Sequence, residues 1–435
     1  MSADALRALW EQALQDSTTE QVRWRALDCL RVGVMEMVRS ARDPRWRNVA
    51  RALSAGDGDA KVSGLERSTD TTSAIVANSL LMHAFNREDS YRVAAHPGLV
   101  VVPTALALQR ADDAAQLLKA VAVGYAIAGG LTDGLTPRAS EAGWRLAALT
   151  APVTAASVAA VVLDLDDDDA VSALRTAAAC MGGDIRSLAG DDWRLQPGLF
   201  ALAGVYAARA ASGGGVRGSV GALESMAAKV LGEPWEPAHH DPIPAIMRVT
   251  FKQYAAPMFA QAIIAALEGA GDIDEPVYKV VVHVAPFAAG YATDGAGRQL
   301  GVASIPDLVS AAIAEPPTRR RVPPEAVVVH PAAELTSLQA RLELHMAGGR
   351  VLQLEGNGDS SGWSSGDIAK RCRSWAQAEC PSLVEAFDST SSPAAAVALL
   401  LDAWKATVVS TVTEGASAWP APGSTERSTP HPSSR

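Results

Sequence analysis

The sequence predicts a mainly α-helical protein in which a large all-helical domain is joined to a smaller α/β domain. Its 435 residues are enough for two domains. Hydrophobic residues make up 48% of the chain but aromatic residues only 5%, because alanine supplies much of the apolar content. Alanine has the highest helix propensity and lets helices approach closely. After Pro242 the pattern changes from helical to mixed α/β, which places the α/β part in the second half.

The first half of the chain consists of helical patterns. In residues 21–39, Val22, Leu27 and Val34 belong to an apolar series with a spacing of three to four residues, which is typical of a helix. A second helix is predicted over 111–131, and Gly129-Gly130 is expected to end it. Further predicted helices cover 146–163, 170–181 and 199–211.

The segment 146–163 resembles a membrane span in length, since it has 18 residues without a charge. Its apolar residues are mostly Ala and Val, and it includes Pro152 and three hydroxyl side chains. This composition is weakly apolar for lipid, and no second span accompanies it. We therefore interpret the segment as a central helix of a helical core and predict no association with membranes.

The second half of the chain has strand patterns. β-Branched runs predict strands over 277–284 and 325–330, and alternating apolar residues around Gly348-Gly349 predict a hairpin of 342–346 with 351–355. Helical patterns over 367–377 and 394–407 are expected to pack back on the first domain. The predicted domains are therefore 1–240 with 366–414 for the helical part, 241–365 for the α/β part, and a disordered Ser/Pro/Thr-rich tail over 415–435.

Charge, cysteines and short motifs exclude several classes of function. The net charge of −10 and the absence of a Lys/Arg-rich stripe argue against a nucleic-acid partner. No secretory signal pattern opens the sequence, so we expect a cytoplasmic protein. Cys29 and Cys180 are predicted to be buried thiols. His239-His240 lacks further ligands at useful spacing, and Gly213-Gly215-Gly218 follows a helix rather than a strand, so neither a metal nor a dinucleotide cofactor is predicted.

The segment 78–103 is the strongest candidate for chemistry. His96 lies in a His-Pro-Gly turn, which fixes its imidazole on a stiff backbone, so we expect it to be functional. His83 lies in a helical stretch, where a lone histidine is more often a core group. Glu88-Asp89 is either part of a site or a pair of solvated loop charges. Ser90 either caps a helix or binds a substrate carboxylate.

This segment resembles the MmgE/PrpD family of dehydratases, decarboxylases and epimerases. The resemblance rests on Asn78, His83, Phe85, Glu88-Asp89-Ser90, His96-Pro97-Gly98 and Pro103, and continues through Gly124-Tyr125, 195–198, Phe251-Lys252-Gln253-Tyr254 and 303–309. It implies a large all-helical domain that carries a smaller α/β lid, usually in a homodimer. It also implies a small-molecule carboxylate or related metabolite as substrate.

The sequence departs from the family pattern at several site positions. Asn86 stands where decarboxylase members have an Asp, Arg145 where the family has a histidine, and Trp193 where it has a lysine. The resemblance implies catalytic roles for His96, Ser90, Asp89 and Asn86, and substrate binding by Arg145, Trp193, Arg194, Lys252, Tyr254, Gln261 and His83.

The leading hypothesis is a lyase without cofactor or metal that dehydrates or decarboxylates a carboxylic acid, with His96 as general acid/base. Cations such as Arg145 and Lys252 would bind carboxylates and stabilise negative charge. An isomerase or epimerase is the first alternative, because it tolerates the loss of a second acid. The other alternative is a member repurposed for non-lyase chemistry or for binding a bulkier natural-product intermediate, which Trp144 and Trp193 favour.

Overall fold

The computed structural model describes residues 4–109, 113–233, 241–271, 273, 275–290, 303–313, 322–388 and 392–409. The chain forms two compact units. Of the described residues, the first unit contains 4–109, 113–187, 191–233, 241–258, 359–388 and 392–409, and the second contains 188–190, 259–271, 273, 275–290, 303–313 and 322–358. The sequence-based domain boundaries are 240/241 and 365/366. His239-His240 and the tail 415–435 lie outside the described residues.

The first unit is built from helices, as the mainly α prediction requires. Helices α2 (Glu20–Ala41) and α6 (Ala114–Leu135) are its longest elements, with 22 residues each. Helix α2 is buried over most of its length because apolar side chains recur on several of its faces, and the Thr19 side chain caps its start. The helices are α1 Ala5–Asp16, α2 Glu20–Ala41, α3 Pro44–Leu53, α4 Thr71–His83, α5 Gly98–Leu108, α6 Ala114–Leu135, α7 Arg138–Glu141, α8 Leu146–Leu149, α9 Ala151–Val162, α10 Asp167–Ala178, α11 Gln196–Ser212 and α12 Ala222–Leu231, followed near the carboxyl end by α16 Ser365–Glu379 and α17 Pro393–Ala406.

Two details of the helix prediction are wrong. Helix α6 continues through Gly129-Gly130 to Leu135. A Cβ on Gly129 would lie 2.3 Å from the Cβ of Ala245, so this glycine permits close packing rather than ending the helix. The predicted helix over 146–163 is divided into α8 and α9 at Thr150. Pro152 explains the break, because it has no N–H to donate and its ring clashes with the carbonyl four residues earlier.

The prediction of a buried thiol holds for Cys29 but is wrong for Cys180, which is exposed. Cys29 lies in the middle of α2, whereas Cys180 follows the end of α10, where the apolar pattern no longer faces the core.

Among the described helices, α6 alone is long and apolar enough to cross a membrane. The share of its most apolar window that is buried inside the protein is 67%. A core helix of a helical protein passes the same test, so length and composition are weak evidence for a membrane span.

The second unit contains a four-stranded sheet with the order β4-β3-β5-β6. Strand β3 pairs in parallel with β4 and antiparallel with β5, and β5 pairs antiparallel with β6. Alternate residues of β5, including Leu342 and Leu344, are buried, which confirms the hairpin predicted from the alternation. The elements are α13 Met258–Gly269, β3 Val277–Val284, α14 Pro286–Ala289, α15 Ile305–Ile313, β4 Val327–Pro331, β5 Gln339–Met346 and β6 Val351–Asn357.

A second, two-stranded sheet lies in the first unit and joins distant parts of the sequence. Strand β1, Asp89–Ser90, pairs antiparallel with β2, Thr250–Phe251. The pairing places Lys252, which directly follows β2, beside the loop between α4 and α5. Both strands are buried. The helical core around them therefore holds Lys252 in place beside the loop.

Candidate active site

The loop between α4 and α5, residues 84–97, has an unusual backbone. Asn86, Arg92 and Val93 have φ angles of 55°, 50° and 68°. This left-handed region is unfavourable for residues with a Cβ, and most of all for a β-branched residue such as Val93. Such conformations persist only where surrounding contacts enforce them, and they are concentrated at functional sites.

Ser90 supplies part of that enforcement. Its buried hydroxyl lies 3.0 Å from the carbonyl oxygen of Val93 and 3.3 Å from that of Ala95, and it donates to these acceptors. Backbone hydrogen bonds between Tyr91 and Ala95 close the same turn. The Ser90 side chain therefore stabilises the loop, and its hydroxyl proton is directed to the backbone.

Four side chains form a buried group that we call the Glu88 cluster: His83, Glu88, His96 and Lys252. Glu88 is its centre, since Oε1 pairs with Lys252 Nζ and lies 3.5 Å from His96 Nδ1, while Oε2 lies 3.2 Å from His83 Nδ1. Burial opposes the ionisation of Glu88, but Lys252 and the two imidazoles outweigh it and hold the pKa of Glu88 well below its usual value. Glu88 is therefore an ionised, solvent-inaccessible carboxylate.

Lys252 is fully buried and links the cluster to the loop. Its Nζ donates to Asn86 Oδ1 over 2.5 Å as well as to Glu88. Burial lowers the pKa of Lys252, and Glu88 opposes that change. Arg371, on α16, donates to the Lys252 carbonyl oxygen over 2.5 Å and so holds the backbone of Lys252 in place.

His96 is the member of the cluster that retains access to solvent. Its side chain is 14% exposed, whereas those of His83 and Glu88 are 1% and 0% exposed. Its Nδ1 lies 3.1 Å from the backbone oxygen of Asp89. A carbonyl can only accept, so the proton lies on Nδ1 and Nε2 carries the lone pair. Burial, reinforced by Lys252, holds the pKa of His96 well below 6.5.

His83 is held differently, because both of its ring nitrogens have neighbours. Arg145 Nη2 lies 2.6 Å from His83 Nε2. A guanidinium can only donate, so Nε2 accepts and the proton lies on Nδ1, which faces Glu88. Burial lowers the pKa of His83 to about 3. The imidazole of His83 is therefore neutral, with its Nε2 lone pair engaged by Arg145 and its Nδ1 proton facing Glu88.

Trp193 and Arg194 form the wall beside His83. The Trp193 indole packs edge-on against the His83 imidazole, with ring centroids 4.3 Å apart, and its backbone oxygen accepts from Arg145 Nη1 over 2.6 Å. The Arg194 guanidinium lies 4.1 Å from the centre of the Trp193 ring, and its Nε donates to the Ala84 carbonyl. Trp193 is only 1% exposed, so it supports His83 rather than presenting an open aromatic surface.

The remaining predicted site residues lie in three places. Asp89 Oδ1 accepts from the Gly98 backbone N–H at the start of α5, and burial raises the pKa of this carboxyl to about 7. Tyr254 is half-buried in the segment after β2. Gln261 is buried on α13 of the second unit.

Sequence reasoning missed Arg371 and did not identify Glu88 as the centre of the cluster. Arg371 lies in an ordinary helical pattern, and no local signal indicates that its guanidinium reaches Lys252. For Glu88, the positively charged partner is 164 residues away in the chain, so only the β1–β2 pairing makes its role visible.

Within the described ranges, no group of three His, Cys, Asp or Glu side chains has an arrangement that could hold a metal ion. The cluster itself combines one carboxylate with an ammonium group and two imidazoles, and Lys252 occupies the position beside Glu88 where a cation would bind. Groups of these types can transfer protons and stabilise anions.

Comparison with known proteins gives one match. A family model described as the MmgE/PrpD N-terminal domain matches residues 3–227, which is more than half of the chain. The matched range contains the 84–97 loop together with Arg145 and Trp193, and it ends before Lys252. No curated protein sequence matches the chain.

Proposed function

Because this chain belongs to the MmgE/PrpD family, we propose that it is a cofactor-independent lyase that removes water or carbon dioxide from a small carboxylic acid. The family is typically one of lyases and dehydratases. The observation that carries the proposal is the state of His96: a neutral imidazole whose proton is fixed on Nδ1 and whose Nε2 is a free base. In the described part of the chain, no hydrogen-bond partner occupies that Nε2.

A dehydration at this site proceeds in two proton transfers. His96 Nε2 takes the proton from the carbon next to the substrate carboxylate, and the electron pair of that C–H bond moves into the carboxylate as an enediolate. The pair then forms the C=C bond while the C–O bond at the neighbouring carbon breaks. The imidazolium of His96 gives its proton to the departing hydroxyl, so water leaves and the imidazole is restored.

The cations of the site stabilise the negative charge that develops on the substrate. Lys252 carries a third N–H beyond those directed at Asn86 and Glu88. Arg145 adds a guanidinium charge on the His83 side of the site. Charge-assisted hydrogen bonds in a water-poor site are strong because the effective dielectric is low. Because Asn86 is neutral, the Lys252 ammonium group is paired with one carboxylate, that of Glu88, and Asn86 adds no second negative charge beside it.

An isomerase or epimerase is the second candidate. The observation in its favour is that Arg145 engages His83, which leaves His96 as the accessible imidazole of the pair. An isomerase that returns the proton to carbon needs one such base and no acid for a leaving group.

Mass spectrometry of the full chain incubated with a panel of hydroxy and unsaturated carboxylic acids in D2O tests both candidates. Loss of water or carbon dioxide supports the lyase, and deuterium incorporation without such loss supports the isomerase. If a verified ligand binds without either change, the protein is a repurposed binding member instead.

The role of His96 is tested with His96→Gln, with His330→Gln on the exposed part of β4 as the matched control. We expect His96→Gln to lower kcat by about 100-fold or more and the control to leave it unchanged. The pH profile adds a second readout: kcat/KM should fall as pH decreases through a pKa below 6.5, because protonation removes the base. Turnover retained in His96→Gln would reject the assignment.

A further inference from the structure

The first unit contains a cavity of about 880 Å³ between the start of α2 and the segment that leads into α16. None of its lining residues belongs to the Glu88 cluster or to the wall formed by Trp193 and Arg194. We propose that this cavity binds a planar organic monoanion, namely an aromatic or heteroaromatic carboxylate. Its volume is in the range of small-molecule binding sites. The lining residues that carry the argument are Trp24, Arg25, Asp28, Arg31, Trp363 and Ser365.

The floor of the cavity is polar and buried. Arg25, Asp28 and Arg31 follow one another at three-residue intervals on one face of α2 and are 4%, 0% and 1% exposed. Each retains a buried polar atom without a hydrogen-bond partner among the described residues, namely Arg25 Nε, Asp28 Oδ1 and Arg31 Nε. Because a buried donor without a partner is unfavourable, a carboxylate that accepts from Arg25 Nε and Arg31 Nε gains affinity, whereas Asp28 Oδ1 can only accept and opposes it.

The two guanidinium groups of the floor are held in place before any ligand binds. Arg25 donates to the Val249 carbonyl over 2.7 Å and to the Trp363 carbonyl over 3.1 Å. Arg31 donates to the Asp388 carbonyl over 2.9 Å. Since these contacts immobilise both cations, binding an anion requires little further ordering of the side chains.

The charge of the floor favours one negative charge on the ligand. Asp28 Oδ2 accepts from Ser365 Oγ over 2.6 Å, and Asp28 Oδ1 lies 3.6 Å from Arg31 Nη1. Two guanidiniums against one carboxyl leave a net positive charge, and burial raises the pKa of Asp28 to about 6, which weakens the opposing negative charge further. Glu20 at the rim is exposed, so solvent screens it.

The rim provides surfaces for a planar group and further donors for its carboxylate. Trp24 and Trp363 both line the cavity and are half-buried, so indole surface remains available for stacking. Ser365 and Gly366 lie in the first turn of α16, whose backbone N–H groups have no acceptors within the helix. The capping carboxylate of Asp367 at this helix start is exposed, so solvent screens its charge, and the positive end of the helix adds to the two guanidiniums.

Isothermal titration of the full chain with benzoate tests the proposal, with neutral benzamide and non-aromatic acetate as comparison ligands. We expect saturable one-to-one binding of benzoate, with benzamide and acetate each at least about tenfold weaker. Trp24→Ala should weaken benzoate binding by about fivefold or more, while Tyr206→Ala, at an exposed aromatic on α11, should leave it unchanged.

Two further variants separate this cavity from the Glu88 cluster and test the charge argument. His96→Gln should bind benzoate as the unaltered chain does. Asp28→Asn keeps the side-chain shape and removes the opposing charge, so it should tighten benzoate binding without strengthening benzamide. The proposal is overturned if benzoate binding does not saturate, if it is lost in His96→Gln but kept in Trp24→Ala, or if Asp28→Asn weakens it.

Discussion

Arg145 donates to His83 Nε2 over 2.6 Å and thereby fixes the tautomer of a buried histidine. An always-charged guanidinium placed against one imidazole nitrogen requires that nitrogen to be the acceptor. The second imidazole of the cluster, His96, is the more exposed of the two side chains. The two histidines, whose ring centroids are 5.9 Å apart, therefore have different roles: one supports the site and the other can exchange protons.

Substitution Arg145→Gln should release His83. The change removes the guanidinium donor and one of the positive charges that lower the pKa of His83, so this pKa should rise while remaining below 6.5 because burial persists. Histidine 1H–15N NMR measures both the tautomer and the titration. Arg194→Gln is the control, since Arg194 stacks on Trp193 without reaching the His83 nitrogens. Identical His83 signals in both variants and the unaltered chain would contradict the tautomer assignment.

Substitution Glu88→Gln should be strongly destabilising. It leaves the fully buried ammonium group of Lys252 without its counter-charge, and breaking a buried ion pair in this way costs about 3–5 kcal/mol. Urea unfolding measures the loss. Glu343→Gln is the matched control, because Glu343 is 36% exposed at 3.5 Å from His283, and we expect a change below about 1 kcal/mol. Equal losses in the two variants would disprove the central role of Glu88.

Substitution Asp89→Asn should change the pH dependence of stability. The pKa of Asp89 is raised from 3.8 to about 7, so the folded state binds more protons, and this group's contribution to stability decreases as pH rises from about 4 to 7. The histidines, whose pKa values are lowered, act in the opposite direction, with stability lost as pH falls below about 6.5.

Comparing Asp89→Asn with the unaltered chain isolates the contribution of Asp89. The variant should gain stability relative to the unaltered chain between pH 4 and 7, by at most about 1.4 kcal/mol per pH unit. Denaturant unfolding at several pH values measures this difference, with the exposed Asp402→Asn as control. A difference that stays constant across the range would show that Asp89 ionises normally.

Substitution Val93→Gly should relieve backbone strain in the 84–97 loop. Val93 has a φ of 68°, which costs a residue with a Cβ about 1–2 kcal/mol, whereas glycine adopts it freely. The flexibility of glycine in the unfolded chain offsets part of the gain, so we expect a net stabilisation of about 0–1 kcal/mol. Val351→Gly, at an exposed position of β6, should instead destabilise by about 1 kcal/mol. Thermal unfolding distinguishes them, and destabilisation in both would argue against strain.

Much of the architecture follows from the sequence because its causes are local. The spacing of apolar residues determines α2, and the alternation around Gly348-Gly349 determines the β5–β6 hairpin. The His96-Pro97-Gly98 turn is also local, and from it the sequence singled out His96 rather than His83 as the candidate functional histidine. The mainly α fold and the family assignment required no information about distant contacts.

Other features required the tertiary structure, because their causes are distant in the chain. From its local sequence, Gly129 is predicted to end a helix. In the structure Ala245 lies so close to it that no side chain would fit, and α6 continues past it. Arg145 lies 62 residues from His83, and its identity alone indicates only an anion anchor. Sequence by itself determined which ionisable groups this protein has. Folding decided which of them lose water and which opposite charges they meet, and those two terms set their protonation and hence their chemistry.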